Sequence, residues 1–125
     1  MKKVFIASAL MLMSAFVAMA QDFPTISNDS VTKWYLIQFM NGGNALTAEN
    51  SGSQITTSAA TGKDSQLWKV TGSSPLGYRF TNKKGYTLYV SSAEKNQMVH
   101  ASSNLTGVNR FVINKSTNSD YNYAY

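Results

Sequence analysis

The chain has 125 residues, of which 43% are hydrophobic, with a formal net charge of +5 and no cysteine. This length accommodates one domain at most. The lack of cysteine excludes disulfide bonds and zinc sites built on thiolates, so the domain must depend on its apolar core for stability. No run of Lys or Arg is longer than a pair such as Lys83-Lys84. The weak charge therefore argues against nucleic acid and membrane surfaces as partners.

The first twenty residues have the pattern of an export signal. Lys2-Lys3 form a basic start, residues 4–19 are almost wholly apolar, and Ala18-Met19-Ala20 offers small residues where a signal peptidase reads. The apolar run is shorter than the roughly 20 residues that a transmembrane helix needs. We predict a signal peptide over 1–20 and no membrane insertion after its cleavage. The other 105 residues, with a net charge of +3 once Lys2 and Lys3 are lost, would be secreted, periplasmic or held at the cell surface.

Residues 21–32 have no periodic pattern and contain Pro24 and several turn formers, which is typical of a linker or an N-terminal arm. From residue 33 onward, short runs of branched and aromatic residues alternate with Gly/Asn/Ser turn signals. The first cycle predicts four strands and the turns between them; the strands cover 34–40, 45–48, 54–58 and 66–70, and the turns cover 41–44, 49–52 and 61–64.

A second cycle begins after the turn signal at 72–75. It predicts strands over 78–81, 86–90, 98–101 and 110–113, separated by a turn at 82–85, a loop at 91–96 and a turn at 105–107. Apolar residues do not recur at helical spacing for any useful length outside the signal. The sequence therefore predicts an all-β fold.

The two cycles repeat each other at an interval of 43 residues. Gln66 returns as Asn109 and Trp68 returns as Phe111. Alternation along the strand directs Leu67 to one side and Trp68 to the other. An amide, one spacer and a large aromatic, twice at one interval, indicate a structural unit that is used more than once. We expect both aromatic residues in the core, because large aromatic side chains are usually buried.

Gln66-Leu67-Trp68 resembles the Gln-x-Trp signature of ricin-type β-trefoil lectins, and Asn109-Arg110-Phe111 resembles a degenerate copy. The resemblance covers about 34–116 and implies a β-trefoil, in which three four-stranded repeats share one core. It also implies roles for the motif residues: Trp68 and Phe111 enter the core, and the two amides brace the neighbouring sugar-binding loops. Such modules accompany the catalytic domains of exported bacterial glycan-degrading enzymes, so a carbohydrate ligand and a downstream catalytic domain are the implied partners.

On this interpretation the partial β-trefoil spans 33–125, with repeat one over 33–74 and repeat two over 75–116. Residues 117–125 are either the start of a third repeat or a tail; Tyr121, Tyr123 and Tyr125 alternate as a strand does, which favours the former. A trefoil lacking one repeat would leave apolar surface wet. At about 25 cal/mol per Å² of apolar area, leaving some 200 Å² exposed to water costs roughly 5 kcal/mol of folding free energy. That loss is enough to make the domain marginally stable or self-associating.

Candidate sugar-binding groups come from two turns that the resemblance places at one end of the barrel. They are amides and one carboxylate, which suit sugar hydroxyls: Asn41, Asn44, Asp64 and Gln66. Turn formation alone also explains the residue types. The ricin-type pattern has an aspartate after the central leucine of each second strand, whereas Leu46 is followed by Thr47 and Leu88 by Tyr89. A structural or protein-interaction module without sugar binding is therefore the alternative.

No catalytic, metal-binding or cofactor-binding constellation is predicted. The six carboxylates after residue 20 are scattered and form no pair suited to glycoside hydrolysis; they are Asp22, Asp29, Glu49, Asp64, Glu94 and Asp120. The single His100 lies in a predicted strand, where packing is its usual role. We therefore predict a protein that is not an enzyme.

Overall fold

The structure is a computed structural model that describes residues 23–38 and 43–114. The predicted signal peptide 1–20 and the segment 117–125 lie outside the described residues, as do Asn41 and the end of the first predicted strand. Within the described ranges the chain is all-β, as predicted, with antiparallel sheets and one short 3₁₀ turn. No helix in these ranges has the length and apolar character needed to cross a bilayer.

In the part of the chain that the structure describes, seven strands form two sheets. A five-stranded sheet has the order β1-β4-β5-β6-β7, and a second sheet pairs β2 with β3. The strands in chain order are β1 (Tyr35–Leu36), β2 (Ala45–Thr47), β3 (Thr56–Ser58), β4 (Leu67–Ser73), β5 (Gly77–Asn82), β6 (Thr87–Tyr89) and β7 (His100–Ser102), with the 3₁₀ turn Asp64–Gln66 directly before β4.

Most predicted strands overlap observed ones, and two predictions need correction. Gln66 ends the 3₁₀ turn instead of opening the strand, because its backbone N–H donates to the Lys63 carbonyl at 2.8 Å. Residues 110–113 form no strand; Phe111 makes one isolated bridge to Tyr78. A run of strand-forming residues becomes a ladder only where a neighbouring strand supplies partners along its length.

The hairpin between β4 and β5 is longer than predicted, because the ladder continues to the pair Ser73↔Gly77. It turns over 74–76. The end of β4 depends on a glycine: Gly72 has a φ of +106°, and a β-carbon there would overlap the carbonyl oxygen of Gly77. Only glycine combines that φ with so close a backbone approach.

The two cycles of strands share one pattern of backbone pairing. Tyr35 pairs with Trp68 in the first cycle, and Tyr78 bridges Phe111 in the second. The inner hairpins correspond as well, since β2 pairs with β3 as β6 pairs with β7. Further bridges join the two sheets, Gln38↔Ala45 between β1 and β2, and Gln54↔His100 near β3 and β7. Isolated bridges therefore link the two sheets near both ends of the strand order β1-β4-β5-β6-β7.

The core lies around Trp68, which has no exposed surface and whose Nε1 donates to the Leu46 carbonyl at 3.0 Å. Its placement in the core was predicted and is confirmed. Phe111 is half-buried and packs against the same cluster, with its ring 6.1 Å from that of Phe80. Four buried residues form the centre, Ala48, Trp68, Leu88 and Ala101, surrounded by the partly buried Ile37, Leu46, Ile55, Phe80, Tyr86, Val99 and Phe111. Much of the apolar core is thus only half-buried.

The N-terminal arm packs along β4. Ile26 forms a parallel bridge with Val70, and the Ser27 N–H donates to the Val70 carbonyl at 2.7 Å. The Ser27 hydroxyl accepts a hydrogen bond from the Lys33 N–H at 3.0 Å. The described part of the arm is therefore tied to the sheet by main-chain pairing.

Candidate functional site

The site is organised by the Gln66 side chain, which is fully buried. Its Oε1 accepts hydrogen bonds from the backbone N–H groups of Thr61 and Gly62, at 2.9 and 3.2 Å, and from the Thr61 hydroxyl at 3.2 Å. Gly62 has a φ of +74°, which suits glycine and turns the chain sharply above the amide. Gln66 thus holds the loop that leads into its own strand.

The other end of the carboxamide holds the neighbouring hairpin. Nε2 donates to the Ser58 hydroxyl at 2.8 Å, the Ala59 carbonyl at 2.9 Å and the Thr47 hydroxyl at 3.2 Å. A glutamine amide has two N–H hydrogens and two acceptor lone pairs. Three protein groups surround each end of the Gln66 amide and share them, so the hydrogen-bonding capacity of the side chain is fully used. The structure places Gln66 beneath the loop, as a support, and not on the surface with the other candidate residues.

Asn109 holds the corresponding loop of the second cycle. Its Nδ2 donates to the carbonyls of Thr106 and Gly107 at 3.1 and 3.4 Å, and its Oδ1 accepts from Arg79 Nε at 2.8 Å. Both amides therefore bind a Thr-Gly pair a few residues upstream. The groups differ, since Gln66 accepts from backbone N–H groups whereas Asn109 donates to carbonyls, and Asn109 is only half-buried.

Asn82 is a third structural amide, which the sequence predicted only as part of a turn. It is 1% exposed, and its Nδ2 donates to the Ala48 carbonyl at 3.1 Å and the Ser65 carbonyl at 3.4 Å. Its Oδ1 accepts from the N–H groups of Lys84 and Tyr86, both at 3.0 Å. Asn82 therefore joins the β5–β6 turn to the end of β2. An asparagine at the start of a turn gives no sequence signal of such burial.

Two of the predicted sugar-binding residues face solvent. Asn44 is exposed immediately before β2, and the Asp64 side chain is 66% exposed in the 3₁₀ turn, with its Oδ1 3.9 Å from Lys83 Nζ. Asn41 lies outside the described residues. Gln66 lies below this surface, so Asn44 and Asp64 are the groups of the predicted set that a ligand can reach in the described ranges.

Thr47 occupies the position at which the ricin-type pattern has an aspartate. It is 2% exposed, and its hydroxyl lies 2.9 Å from the Ser58 hydroxyl and donates to the Ala45 carbonyl at 2.9 Å. Its side chain therefore joins the buried network beneath the loop. In the second cycle, Tyr89 is half-buried beside His100, with ring centroids 5.6 Å apart.

Glu49, just after β2, forms ion pairs with Lys63 and, at 3.8 Å, with Lys84. The hydrogen bond from Lys63 is the main cause that lowers the pKa of Glu49 below its ordinary value of 4.5. An acid with a lowered pKa is a poor proton donor near neutral pH. Across 23–38 and 43–114, no three His, Cys, Asp or Glu residues are grouped so as to hold a metal ion.

Comparison of the chain with protein-family models, with curated proteins and with solved structures gives no match. Its function must therefore be inferred from its own residues and geometry. The geometry gives a hydrogen-bonded support beneath two Thr-Gly loops, and Asn44 and Asp64 are each exposed to solvent.

Replacement of Gln66 by leucine should destabilise the protein by about 3 kcal/mol, because loop N–H groups and the Ala59 carbonyl lose their partner. The exposed Gln54, replaced in the same way, is the matched control and should change stability by less than about 0.5 kcal/mol. Urea unfolding of the three proteins measures the difference. Equal losses in the two variants would show that the buried amide does not hold the loop.

Replacement of Lys63 by methionine should raise the pKa of Glu49 toward 4.5, because it removes the main group that favours the carboxylate. The folded pKa is lowered, so the ionic contribution to stability is present above 4.5 and lost as pH falls through the folded value. Carboxyl-detected NMR titration measures the shift, with Lys95→Met as the control. A Glu49 pKa that stays unchanged in Lys63→Met would contradict this assignment.

Proposed function

We propose that the chain is an exported, non-catalytic, carbohydrate-binding module of ricin-type β-trefoil architecture, accessory to a glycan-degrading enzyme. The observation that carries the proposal is the recurrence, in both cycles, of the same strand pairing together with an amide that braces a Thr-Gly loop. These are the roles that the resemblance implies for Gln66 and Asn109. Export is supported by the signal pattern over 1–20.

The incomplete burial of the apolar core supports a β-trefoil as the specific architecture. Seven apolar side chains around Trp68 are only partly buried, although they pack against the buried centre. In a fold whose repeats share one interior, each repeat leaves apolar surface that another repeat covers. We infer that a further four-stranded repeat completes this core.

On this scaffold, exposed residues would contact the carbohydrate and a buried residue would hold the loop beside them. Asn44 and Asp64 present an amide and a carboxylate to solvent, and such groups hydrogen-bond sugar hydroxyls. Gln66 fixes the backbone of the loop that leads to Asp64, which lowers the entropic cost of ordering that segment on binding. Asn41 belongs to the proposed surface on the sequence alone.

Glycan-array screening of the purified protein, followed by isothermal titration calorimetry, tests the proposal. We expect at least one saccharide to bind with a dissociation constant in the micromolar to millimolar range, about −4 to −8 kcal/mol. The double change Asn44→Ala and Asp64→Ala should weaken binding to the proposed surface, whereas Glu94→Ala, in the loop 91–96, should not. Absence of binding to any saccharide at millimolar concentration would refute the carbohydrate function.

A structural or protein-interaction module is the second candidate, and one observation favours it. Thr47 stands where the family pattern has an aspartate, and its hydroxyl is turned into the buried network. A barrel without that carboxylate still presents loops to a partner or to a neighbouring domain. A stably folded protein that binds no saccharide on the array would favour this candidate over the first.

A further inference from the structure

A surface that shares Asp64 with the predicted sugar-binding residues combines an aromatic ring with basic groups. The Nζ atoms of Lys69 and Lys83 lie 5.8 and 5.6 Å from the centroid of the Trp34 ring. Distances below about 6 Å allow a cation–π attraction, which would hold the two ammonium groups over the ring. Trp34 is half-buried, so part of this residue reaches the surface.

Strand geometry explains why these side chains meet on the outer face of the sheet. Trp68 and Val70 are both buried, so Lys69 between them points away from the core. Trp34 directly precedes β1, in which Tyr35 pairs with Trp68. Continuing the register by one residue brings Trp34 opposite Lys69, on the same outer face.

Lys83 is positioned by its own backbone and lies next to an acid. Its N–H donates to the carbonyls of Leu67 and Asp64, at 3.0 and 3.2 Å, which fixes the residue against the 3₁₀ turn. The Asp64 carboxylate lies 3.9 Å from Lys83 Nζ and is mostly exposed. Four side chains thus form one surface, which we call the Trp34 patch: Trp34, Asp64, Lys69 and Lys83.

Among the described residues, the patch has two lysines and one acid, so it keeps one net positive charge. Lys63 and Lys84 share Glu49, so their charges are partly compensated. None of the ion pairs within the described ranges involves Lys69, and the Lys83 pair is long and exposed. Such an exposed pair is weak and leaves the Lys83 ammonium open to a competing anion.

We propose that the Trp34 patch binds an acidic saccharide. The apolar face of a sugar ring would lie against the part of the Trp34 indole that the two ammonium groups leave open, where the ring offers flat apolar surface at low entropic cost. A carboxylate or sulfate on that ring would lie between the ammonium groups of Lys69 and Lys83 and accept charge-assisted hydrogen bonds. Asp64 would accept a hydrogen bond from a ring hydroxyl. The inference rests on the proposed carbohydrate function and narrows the ligand to anionic sugars.

The patch suits a sugar better than a nucleic acid. Affinity for nucleic acid comes from many phosphate contacts and from successive aromatic platforms. The patch has two lysines and one tryptophan, fewer charges and rings than such binding requires. The Asp64 carboxylate beside them is an acceptor that sugar hydroxyls can use.

Calorimetry of the purified protein with an oligogalacturonate and with its methyl ester tests the charge requirement, because esterification removes the negative charge of each carboxylate while the sugar chain stays the same. We expect the acid to bind at least about tenfold more tightly than the ester, with an affinity that falls as salt is added. A sulfated galactan oligomer in a further titration distinguishes sulfate from carboxylate, and binding of either anionic oligosaccharide in preference to the ester supports the inference.

Variants locate the site. Trp34→Ala should remove most of the binding, and Lys69→Met and Lys83→Met should each weaken it by at least about fivefold. Lys95→Met removes one charge in the loop 91–96 and should have no effect. Because Trp34 is half-buried, its variant is checked by thermal unfolding, and the lysine changes test the patch independently of that result.

Three outcomes would overturn the inference. Equal binding of acid and ester, unchanged by Lys69→Met, would leave the carbohydrate function standing and refute the anionic class. Binding of neutral glycans alone would also refute the anionic ligand class while leaving the carbohydrate function standing. Binding of an oligothymidylate, competed by neither anionic oligosaccharide, would assign the patch to nucleic acid.

Discussion

The hydrogen-bonded carboxamide of Gln66 is the interaction on which the first cycle of strands depends. It lies at the meeting point of three segments: the end of β2, the end of β3 and the loop at 61–62. Backbone groups turned inward must find partners, and a loop has no ladder to supply them. One buried side chain with both donors and acceptors meets that need at both ends. Replacement of Gln66 is expected to lower the stability of the fold, because a buried polar network is stable only when every member has its hydrogen-bond partners.

What the sequence could predict was local. Alternation directs Trp68 and Val70 inward, and the turn residues mark the hairpins, because both signals lie within a few neighbouring positions. The predicted strand at 110–113 is wrong, because a ladder also needs a partner along its length, and Phe111 has one bridge. The predicted strand over 66–70 begins one residue too early, because the Gln66 N–H donates to the Lys63 carbonyl and closes a 3₁₀ turn.

The polar residues show where such prediction ends. Asn82 and Asn44 are both asparagines beside a turn. Asn82 is buried and its side chain is hydrogen-bonded through both Nδ2 and Oδ1, whereas Asn44 is exposed. Their difference arises from tertiary packing, which composition does not encode. The Trp34 patch has the same origin: its ring and its lysines come from positions 34, 69 and 83, and only the pairing of β1 with β4 and of β4 with β5 brings them together.

Amide hydrogen exchange at Thr61 and Gly62 tests the role of Gln66 most directly. Both residues are exposed on the surface, and their N–H groups are hydrogen-bonded to the Gln66 side chain. If that buried amide holds the loop, both N–H groups exchange as slowly as those of the β4 ladder, through opening of the fold. Exchange at the rate of an open surface loop, while β4 stays protected, would contradict the role assigned to Gln66.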